Sequence, residues 1–192
     1  MSPTVLTRRS KDSGSVPASA GAFRPIPNPP SDVEAVKADG NSFTFDSFTV
    51  EDAWHLGHLL HARLLPLGQT APVLISIALA NGPQVLFQCV TGTGTAPDNE
   101  LWVARKRASV LRFGCSTWLL HCKFDGDEQA FAAKYGLGPE QAGRYAIHGG
   151  AVPIRVRGVE GVVAVVVVSG LKQHEDHGVI VDVIKENWTA AV

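Results

Sequence analysis

Residues 145–177 read YAIHGGAVPIRVRGVEGVVAVVVVSGLKQHEDH, and this stretch decides the fold. Two apolar segments within it, residues 154–157 and 162–168, have the length and the β-branched composition of short strands. A His-Gly-Gly sequence precedes the pair, and a second polar cluster containing histidine follows it. Two strands joined by a short turn run antiparallel. The sequence therefore predicts that the two polar clusters lie near one pocket.

Helices are predicted where apolar residues recur at helical spacing, and strands where short apolar runs are bounded by turn residues. The predicted helices cover residues 50–65, 98–113, 127–135, 139–145 and 173–188. The other predicted strands cover residues 43–45, 73–79, 84–90 and 119–123, with Asn81-Gly82 as a hairpin turn. This order predicts an α+β domain in which helices pack over an antiparallel sheet.

The first forty residues differ in composition from the rest of the chain. Six of the 12 prolines lie within the first thirty residues, mixed with Ser, Gly and Ala. Such a segment buries too little apolar surface to offset the entropy of ordering its backbone. The sequence therefore predicts a disordered Ser/Pro-rich tail over residues 1–40, available to bind a protein partner, and a single domain over residues 41–192.

The bulk composition argues against several classes of protein. The 192 residues carry a formal net charge of −1, which creates no global field to attract nucleic acid. The longest apolar run has seven residues, from Val162 to Val168, whereas a membrane-spanning helix needs about twenty. Cys89, Cys115 and Cys122 have neither metal-site nor disulfide spacing. These features predict a cytoplasmic protein with no membrane span and no nucleic-acid partner.

A glycine-rich loop, GTGT at residues 92–95, lies just before the helix predicted to begin at Asp98. Gly92 and Gly94 allow backbone N–H groups to point at a ligand, and the positive end of the helix dipole favours an anion. The spacing fits neither a P-loop nor a dinucleotide fingerprint, so a plain loop-to-helix junction is the alternative. We expect Thr95 or Asp98 to cap the helix.

The same helix carries a lysine on its apolar side. Trp102 and Phe113 lie on one stripe of the helix, and Lys106 falls in the middle of that stripe. A lysine in this position must extend to solvent, pair with an acid or face a cavity. Arg105 lies at the margin of the stripe, either as a ligand contact or as part of a solvated basic flank.

Both ends of the strand pair carry side chains suited to ligand binding or acid–base chemistry. His148 precedes Gly149-Gly150, where the backbone needs a positive φ or a close approach, and it is either a ligand contact or a turn-capping residue. Asp176 and His177 follow the second strand, and a carboxylate beside an imidazole can set its tautomer.

Two further patterns favour structural roles. Ser169 is a candidate ligand contact or the cap of the last helix, and no G-x-S-x-G elbow supports a serine hydrolase. His55, His58 and His61 repeat every three residues on the first long helix, across too wide an arc for a zinc site. We expect these histidines at an interface or on an exposed face.

Two longer segments carry a family resemblance. They are GTGTAPDNELWVARKRASVLRFGCS at residues 92–116, and HGGAVPIRVRG with VSGLKQHEDH between residues 148 and 177. With these motifs, the region from residue 43 to residue 188 resembles the haem-degrading domain family, which includes GlcG-like and haem-binding sensor proteins. The resemblance implies a profilin-like fold, with a central antiparallel sheet of about five strands flanked by helices on both faces. It also implies a homo-oligomer, a dimer or a ring of dimers, that binds a small molecule.

Haem is the cofactor that the resemblance implies, for binding or for degradation, with His148 or His177 as the candidate iron donor. The candidate catalytic residues are His148, Asp176 and His177. The candidate ligand-binding residues are Gly92, Gly94, Asp98, Asn99, Trp102, Arg105, Lys106, Phe113, Gly149, Gly150 and Ser169. Two alternatives stay open: an oligomeric structural or adaptor protein without catalysis, and a small-metabolite enzyme that uses the three candidate catalytic residues as acid–base groups.

Overall fold

The computed structural model describes residues 4–9, 24–82 and 84–191, and its strands form one sheet in the order β4-β3-β6-β5-β2-β1-β7. The strands are β1 (Val5–Arg8), β2 (Phe43–Phe45), β3 (Leu74–Leu79), β4 (Val85–Val90), β5 (Ala151–Val156), β6 (Ala164–Ser169) and β7 (Trp188–Ala190). The helices are α1 (Val33–Ala38), α2 (Val50–Leu64), α3 (Pro97–Phe113), α4 (Thr117–Lys123), α5 (Glu128–Lys134), α6 (Pro139–Ala142) and α7 (Gln173–Asn187). The predicted α+β class is confirmed.

The sheet is mixed, and with seven strands it is larger than the sheet of about five strands that the resemblance implies. β4, β3, β6 and β5 form its antiparallel part. β2 pairs parallel with β5 and with β1, while β7 pairs antiparallel with β1. The additional strands come from the two ends of the chain. They satisfy the backbone N–H and C=O groups that an open edge leaves unpaired.

Helices cover both faces of the sheet, as expected. Leu60 of α2 and Ile180 of α7 belong to the core cluster that contains Val166 of β6. Val110 of α3 belongs to a second cluster with Val165 of β6, on the opposite face. Successive strand residues point to opposite faces, so residues 164–168 of β6 are all apolar because both faces of the strand are covered. Within the described ranges, no helix is long and apolar enough to cross a membrane.

One predicted strand is a helix. Residues 119–123 belong to α4, which begins at Ser116 because the Ser116 hydroxyl accepts a hydrogen bond from the Leu119 backbone N–H at 3.1 Å. A short apolar run has no periodicity that separates a strand from a buried helix. Ser116, the helix cap just before residues 119–123, is the signal that favours a helix there.

Parts of the first forty residues are ordered, so the expected disorder is wrong for them. β1 pairs with both β2 and β7, and α1 is capped by Asp32, whose carboxylate accepts from the Ala35 N–H at 2.9 Å. Arg63 of α2 donates to the carbonyls of Arg24 and Pro25 at 2.7 and 3.0 Å. These bonds to the folded domain offset the entropy of ordering. Residues 10–23 of the predicted tail lie outside the described residues.

Candidate functional site

The start of β5 and the end of β6 lie side by side at one end of these strands. Ala151 at the start of β5 is opposite Val167, and the Val168 N–H donates to the Gly150 carbonyl at 2.8 Å. The first turns of α3 and α7 lie at the same end of the strands and border a cavity of about 330 Å³. This volume lies at the lower end of the ~300–1,000 Å³ typical of small-molecule sites. The lining residues are Ala96, Asp98, Asn99, Trp102, Lys106, His148, Ser169, Gly170, Leu171, Gln173 and Asp176.

The first turn of α3 holds an aromatic side chain at the cavity. The helix is capped at Ala96, so neither Thr95 nor Asp98 is the cap that we expected. Asn99 Oδ1 accepts from the Ala96 N–H at 2.8 Å and closes the helix end. The Asp98 carboxylate accepts from Trp102 Nε1 at 2.9 Å instead, which holds the indole in the cavity wall.

The first turn of α7 aims a carboxylate at the cavity. The helix is capped at Lys172 and not at Ser169, which ends β6 and lines the cavity. The Lys172 N–H donates to Glu175 at 3.2 Å, and the Leu171 N–H donates to Asp176 Oδ1 at 3.0 Å. The positive dipole ends of α3 and α7 therefore lie at one cavity.

Lys106 and Asp176 form a buried ion pair in this cavity. Lys106 Nζ lies 3.0 Å from Asp176 Oδ2, and each side chain is 3% exposed. Lys106 Nζ also donates to the Val168 carbonyl at 3.1 Å. The sequence left three options for Lys106: it could extend to solvent, pair with an acid or face a cavity. In the structure it both pairs with an acid and lines a cavity.

The environment of Asp176 brings its protonation into the neutral range. Burial raises the pKa of Asp176 to about 6, while the nearby Lys106 ammonium and the backbone N–H groups of Leu171 and Gly170 oppose that rise. A carboxyl group with such a pKa changes its protonation state near neutral pH, as acid–base catalysis requires.

Gly150 is the residue that makes room for the ion pair. Its φ is +114°, and a Cβ added there would lie 2.4 Å from the Val168 oxygen, 2.7 Å from Asp176 Cβ and 2.8 Å from Lys106 Nζ. The predicted need for a positive φ and a close approach is therefore met at Gly150. Gly149 also allows a close approach, because its Cβ would lie 2.4 Å from the Gln173 oxygen.

His148 stands at the rim of the cavity with its ring half exposed. The ring packs edge-on against Trp102, with the ring centroids 4.8 Å apart. His148 Nδ1 lies 3.3 Å from Glu128 Oε1, although this contact lacks the alignment of a hydrogen bond. Burial lowers the pKa of His148, and Glu128 partly opposes this, so the neutral imidazole is favoured at neutral pH.

His177 does not line the cavity, although it follows Asp176 directly. Its side chain is fully buried, and neither ring nitrogen has a hydrogen-bond partner in the described part of the chain. Its ring stacks against Trp118, with the centroids 6.1 Å apart. Adjacent helical residues point about 100° apart. Asp176 therefore faces the cavity, while His177 points to a different side of α7, towards Trp118.

Six other candidates also lie outside the cavity lining: Gly149, Gly150, Gly92, Gly94, Arg105 and Phe113. Phe113 packs with Phe131 and Tyr145. The Arg105 guanidinium lies 4.8 Å from the centre of the Trp102 ring, which lines the cavity. A Cβ added at Gly92 would lie 2.0 Å from the Gly68 oxygen, and one added at Gly94 would lie 3.4 Å from the Pro72 ring. The cavity lining includes neither glycine, and the ligand role of the GTGT loop stays a prediction.

The three histidines of α2 do not form a metal site. His58 Nδ1 contacts the Trp54 carbonyl at 2.8 Å, and its ring lies against the Trp54 ring. Among the described residues, no group of three or more His, Cys, Asp or Glu side chains is arranged to hold a metal ion.

Four lining residues are absent from the candidate set that the sequence supports: Ala96, Gly170, Leu171 and Gln173. Gln173 is the most informative of them, because its side-chain oxygen accepts from the Gly149 N–H at 3.3 Å and links α7 to the His148 turn. Its position within the second polar cluster was a usable signal, but a glutamine at a helix start is usually a capping residue.

Comparison with known proteins shows close relatives of the whole domain. A UPF0303 protein of Streptomyces avermitilis is 39% identical over 160 residues, covering 83% of this chain and 93% of the relative. The UPF0303 protein YBR137W of Saccharomyces cerevisiae is 39% identical over 131 residues, covering 68% of this chain and 70% of the relative. A crystal structure of Ybr137w protein superposes with a TM-score of 0.70 at 34% identity, covering 85% of this chain and 88% of that structure.

The family described as "Haem degrading protein HbpS-like" matches residues 48–185, which include every residue of the cavity lining. This match and the identity to the two relatives agree with the resemblance of the two sequence segments. The chain belongs to the HbpS-like haem degrading protein family.

Proposed function

We propose that the protein binds a small carboxylate-bearing molecule in the cavity between the first turns of α3 and α7. The buried ammonium of Lys106 is the observation that carries this proposal. An ammonium group has three N–H donors, and Lys106 uses two of them on Asp176 and the Val168 carbonyl. The third has no acceptor among the described residues and can bind a ligand atom in the cavity that Lys106 lines.

The two helix ends support the same ligand chemistry. The first N–H groups of a helix have no partner within the helix. In the described part of the chain, the N–H groups of Gln173 and His174 have no hydrogen-bond acceptor. Their position at the positive end of α7 favours an anion. The Trp102 ring adds an aromatic surface for a planar portion of the ligand.

Haem is the candidate ligand that the family indicates, and the residues present fit it in kind. His148 is a half-exposed neutral imidazole, the group that most often holds haem iron. Trp102 would contact the ring, while Lys106 and the helix ends would bind a propionate. Bound haem would supply redox chemistry at its iron. His177 is not a candidate donor in this arrangement, because it is fully buried and does not line the cavity.

Titration with haem tests this assignment. We expect saturable binding of one haem per subunit with a shifted Soret band, lost in His148→Ala and retained in His174→Ala, a matched histidine on α7 outside the lining. Calorimetry with benzoate tests carboxylate binding separately, in a protein that keeps Asn99 and Trp102. If neither haem nor benzoate binds saturably, the proposed function is wrong.

Acid–base turnover of the ligand is the second candidate function. It is favoured by the pKa of Asp176, about 6, in a cavity that also contains the His148 imidazole. Because His177 is not in the cavity, only two of the three candidate catalytic residues take part in this proposal. The expected signature is a pH–rate profile with an inflection near pH 6 that Asp176→Asn removes.

We also propose that the protein is a cytoplasmic homo-oligomer. Exposed apolar residues on the neighbouring elements α2 and β4 support self-association: Trp54 is 52% exposed, and Val50, Val85 and Val90 are exposed as well. Cys89, Cys115 and Cys122 are free thiols, as is usual in a reducing compartment.

A further inference from the structure

Residues 24–41 form a strap that crosses α7 and is fastened first at its N-terminal end. Arg24 forms ion pairs with Asp182 and Glu186 of α7. Arg63 of α2 donates to the Arg24 and Pro25 carbonyls and lies 3.4 Å from Asp182. This end of the strap is thus tied to two helices through guanidinium groups, which form strong bonds with carboxylates.

The C-terminal end of the strap is fastened as well. Asp39 forms an ion pair with Lys185 of α7. The side chain of Asn41 accepts a hydrogen bond from the Ser116 N–H, at the start of α4, at 3.0 Å. The Asp39–Lys185 pair is half exposed, so water can replace it at little cost, whereas the Asn41 bond to Ser116 is partly buried.

The middle of the strap packs closely on α4 and α7. Trp118 Nε1 donates to the Pro30 carbonyl at 2.7 Å, and Val36 of the strap packs with Trp118. A Cβ on Gly178 of α7 would lie 2.4 Å from the Pro27 oxygen. The strap therefore seals the surface formed by α4 and α7.

His177 lies beneath this seal. A Cβ on Gly40 of the strap would lie 3.4 Å from His177 Nε2, and the other side of the imidazole faces Trp118. The ring is fully buried with both nitrogens unpartnered among the described residues. Such an imidazole costs stability without forming a bond, and a packing role alone would be filled better by leucine.

We propose that the strap is an acid-released cover, in which protonation of His177 frees residues 24–41 from α4 and α7. An imidazolium ion cannot stay in the closed position without a partner. The charged groups around it are already engaged: Asp39 of the strap with Lys185, and Asp176 of α7 with Lys106. His121 of α4, stacked on Trp118, is a further cation when protonated and gives no compensation.

Thermodynamic linkage sets the size of the effect. Burial lowers the pKa of His177 from its ordinary 6.5 to about 3 in the closed state. Opening restores the ordinary value, so a lower pH favours the open state. Between pH 7.5 and pH 5, the ratio of open to closed strap rises about 30-fold. Because α7 also carries Asp176, the released surface adjoins the cavity, but the proposal requires no ligand.

Hydrogen exchange at the strap tests the proposal on the full chain. The Val36 and Asp39 N–H groups bond to carbonyls within the strap and report its opening. After correction for intrinsic exchange, we expect their protection factors to fall about 30-fold from pH 7.5 to pH 5. Protection in β6, which is lost only through global unfolding, should fall by only about 3-fold, because the raised pKa of Asp176 makes the folded state about 10-fold more stable at pH 5 and offsets most of the effect of His177. Strap protection that does not depend on pH, or an equal fall in β6, overturns the proposal.

Two variants distinguish release of the strap by protonation of His177 from a destabilisation of the strap that does not depend on pH. His177→Leu should keep the strap protected at pH 5, and a fall of wild-type size in this variant overturns the proposal. Trp118→Phe removes the bond to Pro30 and keeps a ring. It should lower strap protection at every pH while retaining the pH response, and a loss of that response also overturns the proposal. It therefore serves as the test if His177→Leu does not fold.

Discussion

Lys106 on α3 and Asp176 on α7 pair at 3.0 Å although 70 positions separate them in the sequence. The two helices pack on opposite faces of the sheet. The ion pair therefore joins the two helical layers at the ends of β5 and β6, next to Gly150. This contact contributes to the fold and also forms the floor of the cavity, so the same residues are expected to affect both stability and binding.

Removing one charge of the pair should be strongly destabilising. Lys106→Met leaves the Asp176 carboxylate buried without its partner, and we expect a loss of about 3–5 kcal/mol in the free energy of unfolding. Urea denaturation measures it. The double variant Lys106→Met with Asp176→Leu should recover much of that loss, because it leaves no unpaired charge. A single-variant loss below about 1 kcal/mol would contradict the buried pair.

Gly150→Ala should disturb the site through its backbone and its side chain together. The positive φ of Gly150 and the three contacts below 3 Å predict a loss of about 3 kcal/mol. Gly158→Ala is the matched control, since its φ is +78° and its Cβ would meet nothing within 4 Å. That variant should lose only about 1 kcal/mol. Equal losses in thermal or urea unfolding would show that crowding at Gly150 has no effect.

The pKa of Asp176 predicts a pH dependence of stability. Burial raises it from 3.8 to about 6 in the folded state, so the folded protein binds this proton more tightly than the unfolded chain. The contribution to stability is present below about pH 4 and is lost as pH rises through about 6, by up to ~3 kcal/mol. We expect Asp176→Asn to lack this decline when its urea unfolding is compared with wild type from pH 4 to 7. Parallel curves for the two proteins would contradict the prediction.

The exposed side chain of Trp54 predicts the effect of a charge on self-association. Trp54→Glu places a carboxylate among the exposed apolar residues of α2 and β4, and we expect the mass measured by light scattering to fall towards that of a monomer. Leu111→Glu, on α3, is the control for an exposed apolar residue elsewhere, at 43% exposed. An unchanged mass for the Trp54 variant would place any interface on another surface.

Much of the secondary structure and part of the site were predictable from the sequence. The helices near residues 50–65, 98–113 and 173–188 follow from local periodicity, and the β3–β4 and β5–β6 pairs follow from short connections. The convergence of His148 with Asp176 also follows from the antiparallel pair, because its two open ends lie together. Residues 119–123 were predicted wrongly because a five-residue apolar run has no informative period.

The sequence by itself determined that Gly150 needs an unusual backbone and that Lys106 cannot be an ordinary surface lysine, since both follow from positions within one element. Only the tertiary structure decided that Asp176 is the partner of Lys106, that His177 turns away from the cavity, and that residues 24–41 are ordered. Each of these depends on contacts between distant segments, whose free energy is absent from local patterns. Adjacent residues such as Asp176 and His177 can therefore have similar chemistry in the sequence and opposite surroundings in the fold.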